Sequence, residues 1–158
     1  MIKLEEIKFE VVTLNWKKMD YQKTPSTSGV YQIYGTSPLY GLDTLLYIGQ
    51  AKNLNNRIKG HFAFVEGTIG RQPNKSCRIA EVQKELLTLV EETLIIMHKP
   101  SFNSARLINM SKNPMNRAIY IQNHGDRGLL NNETTNYYFL DKNVNKIPDE
   151  MKTPDDIK

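Results

Sequence analysis

The chain has 158 residues, 39% of them hydrophobic and 24% charged, with a formal net charge of +4 at pH 7. That length suits one hydrophobic core with extensions, and the balance is that of a soluble globular protein. Cys77 is the only cysteine, which excludes an internal disulfide and a cysteine-built zinc site.

The N-terminus, Met-Ile-Lys-Leu-Glu-Glu-Ile-Lys, lacks the long apolar run of a signal peptide, and no segment approaches a membrane-spanning length. The expectation is a cytoplasmic protein with no membrane partner. Basic charge is concentrated: residues 50–79 hold Lys52, Arg57, Lys59, Arg71, Lys75 and Arg78 against Glu66 alone. A solvated face explains that bias, and so does a phosphate-binding surface.

In chain order, the β-branched run Phe9-Glu-Val-Val-Thr-Leu14 reads as a strand. Trp16 to Ser28 is polar and ends in the turn cluster Pro25-Ser-Thr-Ser-Gly29, so it reads as a lead-in. Val30-Tyr-Gln-Ile-Tyr34 and Leu45-Leu-Tyr-Ile-Gly49 read as two strands of an antiparallel pair, joined by a connection from Gly35 to Asp43.

Asn53 is placed to cap a helix whose apolar stripe is Leu54, Ile58, Phe62 and Val65. Arg57 and His61 are four residues apart and lie along one margin of that stripe. Gly67 to Lys75 is a basic loop. The spacing of Ile79, Val82, Leu86, Val90, Thr93 and Met97 then predicts one long helix from Ser76 to about His98, closed by Lys99-Pro100. Residues 109–145 are rich in asparagine, with strands predicted at Ala118–Ile121 and Tyr137–Leu140 around a long connection containing His124-Gly-Asp-Arg-Gly128. The last dozen residues mix Pro, Asp and Lys and are expected to fray.

The residues that stand out form an ordered set. Gly29-Val-Tyr31 is followed by Tyr47-Ile-Gly49, by Arg57 ten residues after Tyr47, and by His61 a turn later. Glu91 lies twelve residues before Asn103, in a segment ending Lys-Pro-Ser-Phe-Asn. Singly, each has an ordinary reading: half-buried strand tyrosines, a solvated arginine, a packed histidine, a turn asparagine. The order and spacings together resemble the GIY-YIG nuclease superfamily, over about residues 28–104. Val30 at the middle of the first triplet departs conservatively. Tyr31 and Tyr47 are sixteen residues apart, which implies an insertion in the intervening loop. Such folds carry a third strand just before the glutamate helix, where only helical pattern is legible here, so the strand at 9–14 or at 118–121 is expected to complete the sheet.

The resemblance implies an α+β fold, a small antiparallel β-sheet flanked by helices, with a nuclease core at 28–104 and extensions at 1–27 and 105–158. The C-terminal extension is expected to supply DNA contacts or a dimerisation hairpin. It implies a Mg²⁺-dependent DNA endonuclease, Mn²⁺ substituting, with no organic cofactor. Glu91 would be the metal ligand. Arg57 would stabilise charge on the phosphate, and Tyr31 would act on the attacking water with Tyr47 and His61 assisting. Asn103 would hold the glutamate helix against the sheet.

Lys52, Lys59, Arg71 and Lys75 are candidate phosphate contacts. One site cuts one strand, so a double-strand break needs a homodimer or two successive events. The small chain, without a cysteine-rich module, looks most like restriction-type or phage-type members. The alternatives are a non-catalytic nucleic-acid-binding module of the same fold and a structure-selective or nicking nuclease. Cys77 reads as a buried or incidental thiol, and His98, His124 and Glu81 have no metal-ligand spacing.

Overall fold

The computed structural model describes residues 6–37, 39–63, 69–104, 107, 115–141 and 144. The expectations for Val65, Gly67 and the last dozen residues fall outside them. Six strands form one sheet: β1 (Phe9–Met19), β2 (Gly29–Ser37), β3 (Gly41–Ala51), β4 (Ser76–Glu81), β5 (Ala118–Gly125) and β6 (Glu133–Thr135). Their spatial order is β3-β2-β4-β1-β5-β6. All neighbours run antiparallel except β1 and β5, which are parallel. Helix α1 (Leu54–Ala63) packs on one face and α2 (Leu87–His98) on the other. The α+β class is as expected, with a larger, mixed sheet.

Alternation along the strands assigns the two faces. Val30, Ile48, Ala80, Leu14, Trp16, Ile119 and Ile121 point to the α2 side and pack with Leu87, Val90, Leu94 and Ile95. Tyr31, Ile33, Cys77 and Ile79 point the other way, onto Leu54 and Ile58 of α1.

Three expectations are corrected. Residues 76–81 are not the first turns of a helix but the central strand β4, paired with β2 and β1 on its two edges. Ile79, Val82 and Leu86 are spaced as on a helix, yet Cys77 and Ile79 also alternate with Ser76, Arg78 and Ala80, and a short apolar run fits both periods. Two strand edges offering hydrogen bonds decide between them. The third strand before the glutamate helix is therefore present, and α2 starts only at Leu87.

The polar lead-in is also misplaced, because β1 continues to Met19. Trp16 is buried, and its indole N–H donates to Asn123 Oδ1 at 2.9 Å, while Asn15 and Lys17 on either side face solvent. Tyr137–Phe139 is a single 3₁₀ turn rather than a strand, and the strand beside β5 is the shorter Glu133–Thr135. The chain turns at Asn136, whose buried side chain accepts the Ile119 N–H at 3.1 Å and donates to the Arg117 carbonyl at 2.7 Å. An amide side chain there replaces what a continuing strand would have supplied.

The sixteen-residue spacing of the tyrosines is absorbed by lengthening both strands. β2 and β3 run on to Ser37 and Gly41, with a register shift between Ile33 and Tyr34. The Ser37 hydroxyl accepts the N–H groups of Leu39 and Tyr40 at 3.2 Å each, and Gly41 takes φ +87°.

Trp16→Phe would keep most of the buried area and strand Asn123 Oδ1 without its indole donor. The expected loss is about 1–3 kcal/mol, read as a lower urea midpoint with unchanged slope.

Candidate active site

The two triplets lie side by side on β2 and β3, with Tyr31 opposite Gly49 and Ile33 opposite Tyr47. Their middle residues, Val30 and Ile48, are fully buried on the α2 side, so the outer tyrosines share the α1 side. Gly49 is the reason Tyr31 fits. A Cβ there would lie 2.4 Å from both the ring and the hydroxyl of Tyr31 and 2.8 Å from Tyr47. Gly29 has a comparable role, since a Cβ would meet the Ala80 carbonyl at 2.3 Å and Leu54 of α1 at 2.8 Å. Glycine in each triplet thus lets a ring or a helix close on the strand.

Helix α1 starts where Asn53 Oδ1 accepts the Asn56 N–H at 3.1 Å, as a capping residue does. Leu54 and Ile58 are buried under it, which turns Arg57 and His61 toward the tyrosines. Ring centroids of Tyr31, Tyr47 and His61 form a near-equilateral triangle, with separations of 6.0, 5.6 and 5.5 Å. Tyr31 Oη and His61 Nε2 are 2.9 Å apart. The imidazole pKa is lowered to about 4, first by burial and then by the positive charges of Arg57 and Lys75. The Tyr31 pKa is raised, mainly by burial, with Tyr47 adding and Arg57 opposing. Both rings are therefore neutral at pH 7, and the hydrogen bond between them runs from the phenol to Nε2 in the Nδ1–H tautomer and from Nε2 to the phenol in the other. Arg57 lies within electrostatic and hydrogen-bond reach of both phenols, and its own pKa is raised by them, Tyr31 first, against the effect of burial.

Glu91 reaches the site from the other face of the sheet. Glu91 is buried, 6% exposed, on the second turn of α2, and its carboxylate accepts from the Gln50 side-chain amide at 3.3 Å. Its charge also contributes to raising the Tyr31 pKa. Asn103 sits in the 3₁₀ turn Ser101–Asn103 that follows α2, and its side chain pairs with one residue of the sheet's edge strand. Oδ1 accepts the Ile48 N–H at 3.0 Å and Nδ2 donates to the Ile48 carbonyl at 3.0 Å. Asn103 thus fixes the backbone between Tyr47 and Gly49 and ties the end of α2 to β3.

The lysines and arginine proposed for phosphate contact divide. Lys52, Lys59 and Arg71 are exposed. Lys75 is half-buried, donates to the Gly70 carbonyl at 2.5 Å and lies 5.7 Å over the Phe62 ring, pinning the 69–75 loop to α1. Cys77 is buried and donates to the Met19 carbonyl, and burial pushes its thiol up to about 11. Gln50 escaped the sequence reading. Its only signal was its place in the strand directly after Gly49, on the α2 side.

Among the described residues no three His, Cys, Asp or Glu groups gather as a metal cluster. The candidate donor set is one buried carboxylate, Glu91, with the Tyr31 phenol within electrostatic reach. That fits Mg²⁺, which takes hard oxygen ligands and keeps several waters. Among the described residues no helix is long and apolar enough to cross a membrane.

Residues 27–96 match the family model of the GIY-YIG catalytic domain. UvrABC system protein C of Helicobacter hepaticus is 37% identical over 92 residues, which are 50% of this chain and 14% of that protein. The same protein of Campylobacter jejuni strain 81-176 is 38% identical over 65 residues, 41% of this chain and 10% of that one. This chain thus spans a small part of the length of these curated relatives. A solved structure of the N-terminal endonuclease domain of UvrC from Thermotoga maritima, bound to magnesium, aligns with 52% of this chain and 90% of its own, at 25% identity and a TM-score of 0.41.

Two outcomes are expected. Gly49→Ala forces the Tyr31 and Tyr47 rings apart, so the Tyr31–His61 hydrogen bond is lost; the downfield His61 ring signals would shift in NMR while the protein stays folded. His61 titrates with a midpoint near pH 4 in the native protein. Lys75→Ala removes one of the cations that depress it and moves that midpoint upward, toward the ordinary value of about 6.5, followed through the imidazole resonances.

Proposed function

We propose, from the match of residues 27–96 to the GIY-YIG catalytic domain, that the chain is a metal-dependent DNA endonuclease that hydrolyses one phosphodiester bond per site. The observation that carries this reading is the triangle of Tyr31, Tyr47 and His61 closed over Gly49, with Arg57 beside it and the Glu91 carboxylate within electrostatic reach of Tyr31.

Glu91 would hold Mg²⁺ or Mn²⁺, which supplies Lewis-acid polarisation of the phosphate and stabilises the leaving 3′ oxygen. Arg57 offers a planar fork of donors to the phosphate oxygens as charge builds on them. Tyr31 accepts a proton from the attacking water at Oη as it passes its own to His61 Nε2, 2.9 Å away, which the Nδ1–H tautomer of the imidazole leaves able to accept. The imidazole then carries one positive charge. Two of the three causes that depress His61 are cations, Arg57 and Lys75. A bound phosphodiester offsets both, so the imidazole gains proton affinity when substrate is present. Tyr47 lines the same side and restricts where the water lies. Lys52, Lys59, Arg71 and Lys75 would neutralise flanking phosphates.

One such site per chain nicks one strand. The curated relatives described above are all UvrABC system proteins C, which favours repair-type nicking over a restriction-like double-strand cut. A double-strand product would need two copies or two events. A soluble cytoplasmic location and a DNA substrate belong to the same reading.

The test is supercoiled plasmid incubated with the purified protein, with and without Mg²⁺. Open-circular product is expected first. Glu91→Ala abolishes it, and Arg57→Ala slows it by about 10²–10³-fold. Discrete linear fragments would restore the restriction-like reading. DNA binding without cleavage in Mg²⁺ and Mn²⁺, unchanged by Glu91→Ala, would overturn the enzyme in favour of a binding module.

A further inference from the structure

We infer that Arg78 of β4 and Lys18 of β1 form a phosphate clamp on the α2 face of the sheet, which grips the DNA backbone away from the bond to be cut. The inference rests on the endonuclease reading for DNA as the ligand. It goes beyond that reading in placing a contact on the opposite face of the sheet from Arg57, with one of its two residues outside the matched segment 27–96.

Lys18 and Arg78 are direct partners in the antiparallel register of β1 and β4. The pleat puts both on the α2 side, because Trp16 and Ala80, two residues along each strand, pack into the core of that face. Direct partners on neighbouring strands bring their Cβ atoms to about 5 Å, where like charges destabilise a sheet. Among the described residues neither cation forms an ion pair that would relieve this. Two acids lie close by, and both are engaged with backbone. Asp126 Oδ2 accepts the Lys18 N–H at 3.0 Å, and Asp20 Oδ1 accepts the Gln22 N–H at 2.9 Å.

Arg78 carries a second cost. Its guanidinium lies over the Tyr34 ring, with Cζ 4.4 Å from the centroid, and its Nε is buried without a hydrogen-bond partner. The residue as a whole is half-buried, so its charge is partly dehydrated and partly open to solvent. Tyr34 is held in place, since its hydroxyl donates to Gln32 Oε1 and accepts the Leu129 N–H at 2.9 Å. Gly128, at φ +63°, closes over the pair; a Cβ there would collide with the Tyr34 hydroxyl and stand 3.2 Å from Arg78 Nε. The aromatic face offsets some of the lost hydration, yet a partly buried cation without an anion still destabilises the fold. A planar guanidinium fixed on an aromatic platform is a pre-ordered receptor for phosphate oxygens. One phosphate between Arg78 and Lys18 relieves the burial of the first and the repulsion of the pair. The clamp also continues into the basic loop: β4 opens at Ser76, directly after the segment with Arg71 and Lys75. Cations thus follow that end of the sheet from one face to the other, a track for a chain of phosphates rather than a socket for a single acid.

The test is the anisotropy of a fluorescent DNA duplex titrated with the protein in EDTA at several KCl concentrations, so that binding is read apart from cleavage. Arg78→Gln is expected to weaken binding by about 10-fold or more, and Lys18→Gln by a smaller factor. Each lowers the slope of log affinity against log salt by about 1. Arg78→Lys keeps the slope and loses affinity, because a lysine lacks the fork. Lys18→Gln, at an exposed position, is expected to leave the melting temperature of the free protein unchanged or higher, since it removes a like-charge contact. A role for Arg78 confined to packing on Tyr34 predicts the reverse: a lower melting temperature in Arg78→Gln and an unchanged salt slope. Wild-type affinity and slope in Lys18→Gln and Arg78→Gln overturn the inference; if Arg78→Gln does not fold, unchanged binding by Lys18→Gln suffices. Arg78-dependent binding of poly-glutamate tighter than that of the duplex overturns it in favour of an acidic protein partner. Arg78-dependent DNA binding by a wild type that nicks no plasmid in Mg²⁺ would instead remove the endonuclease reading and leave the clamp standing. Nicking by the wild type, with DNA binding unchanged in both variants, removes the clamp alone.

Discussion

The absence of a side chain at Gly49 is the constraint on which the site depends. Two neighbouring strands normally fill their shared face with side chains on both. Here β3 has nothing opposite Tyr31, so the phenol lies across the gap with its hydroxyl against His61. Tyr47, one pair further along, closes the group. Because Tyr31 is fully buried, its ring cannot relax to another rotamer without opening the α1 face of the core. The hydroxyl end of the phenol is held by packing as well as by the hydrogen bond.

Edge strands are ordinarily the least determined part of a sheet. The edge here, β3, carries Tyr47, Gly49 and Gln50, and it is restrained from outside by side chains. Asn103 pairs with both backbone groups of Ile48, as a seventh strand would over one residue. Asn136 does the same kind of work next to β5, where β6 stops short. Asn123 satisfies Trp16 in the core between β1 and β5. Three buried asparagines thus end or join strands, which gives physical content to part of the asparagine-rich composition of the chain. Among the described residues no further strand pairs with β3 beyond Asn103.

The charge arrangement has an internal logic. Burial and two cations keep His61 neutral, and burial, with Tyr47 and Glu91 adding to it, keeps Tyr31 protonated. Without substrate the pair is a quiet hydrogen bond. A polyanion laid against Arg57 and Lys75 would offset the two cations that depress His61.

Much of the site was legible in the sequence because its parts are local. Two triplets, an Arg–His pair one turn apart and a glutamate twelve residues before an asparagine can each be read without knowing the fold, and periodicity placed β2, β3 and α1 correctly. What the sequence could not decide was settled by partners distant along the chain. Residues 76–81 match a helix and a strand equally by spacing, and only two open strand edges, on β2 and β1, make the strand win. Trp16 reads as part of a polar segment until Asn123, 107 residues away, is brought beside it. Tyr137–Phe139 has the composition of a strand, yet Asn136 uses its amide to end the pairing first. Gln50 was invisible for the same reason: its acceptors on α2 come within reach only when sheet and helix pack. Local spacing carries chemistry on one element, while hydrogen-bond satisfaction between elements is decided only by tertiary structure.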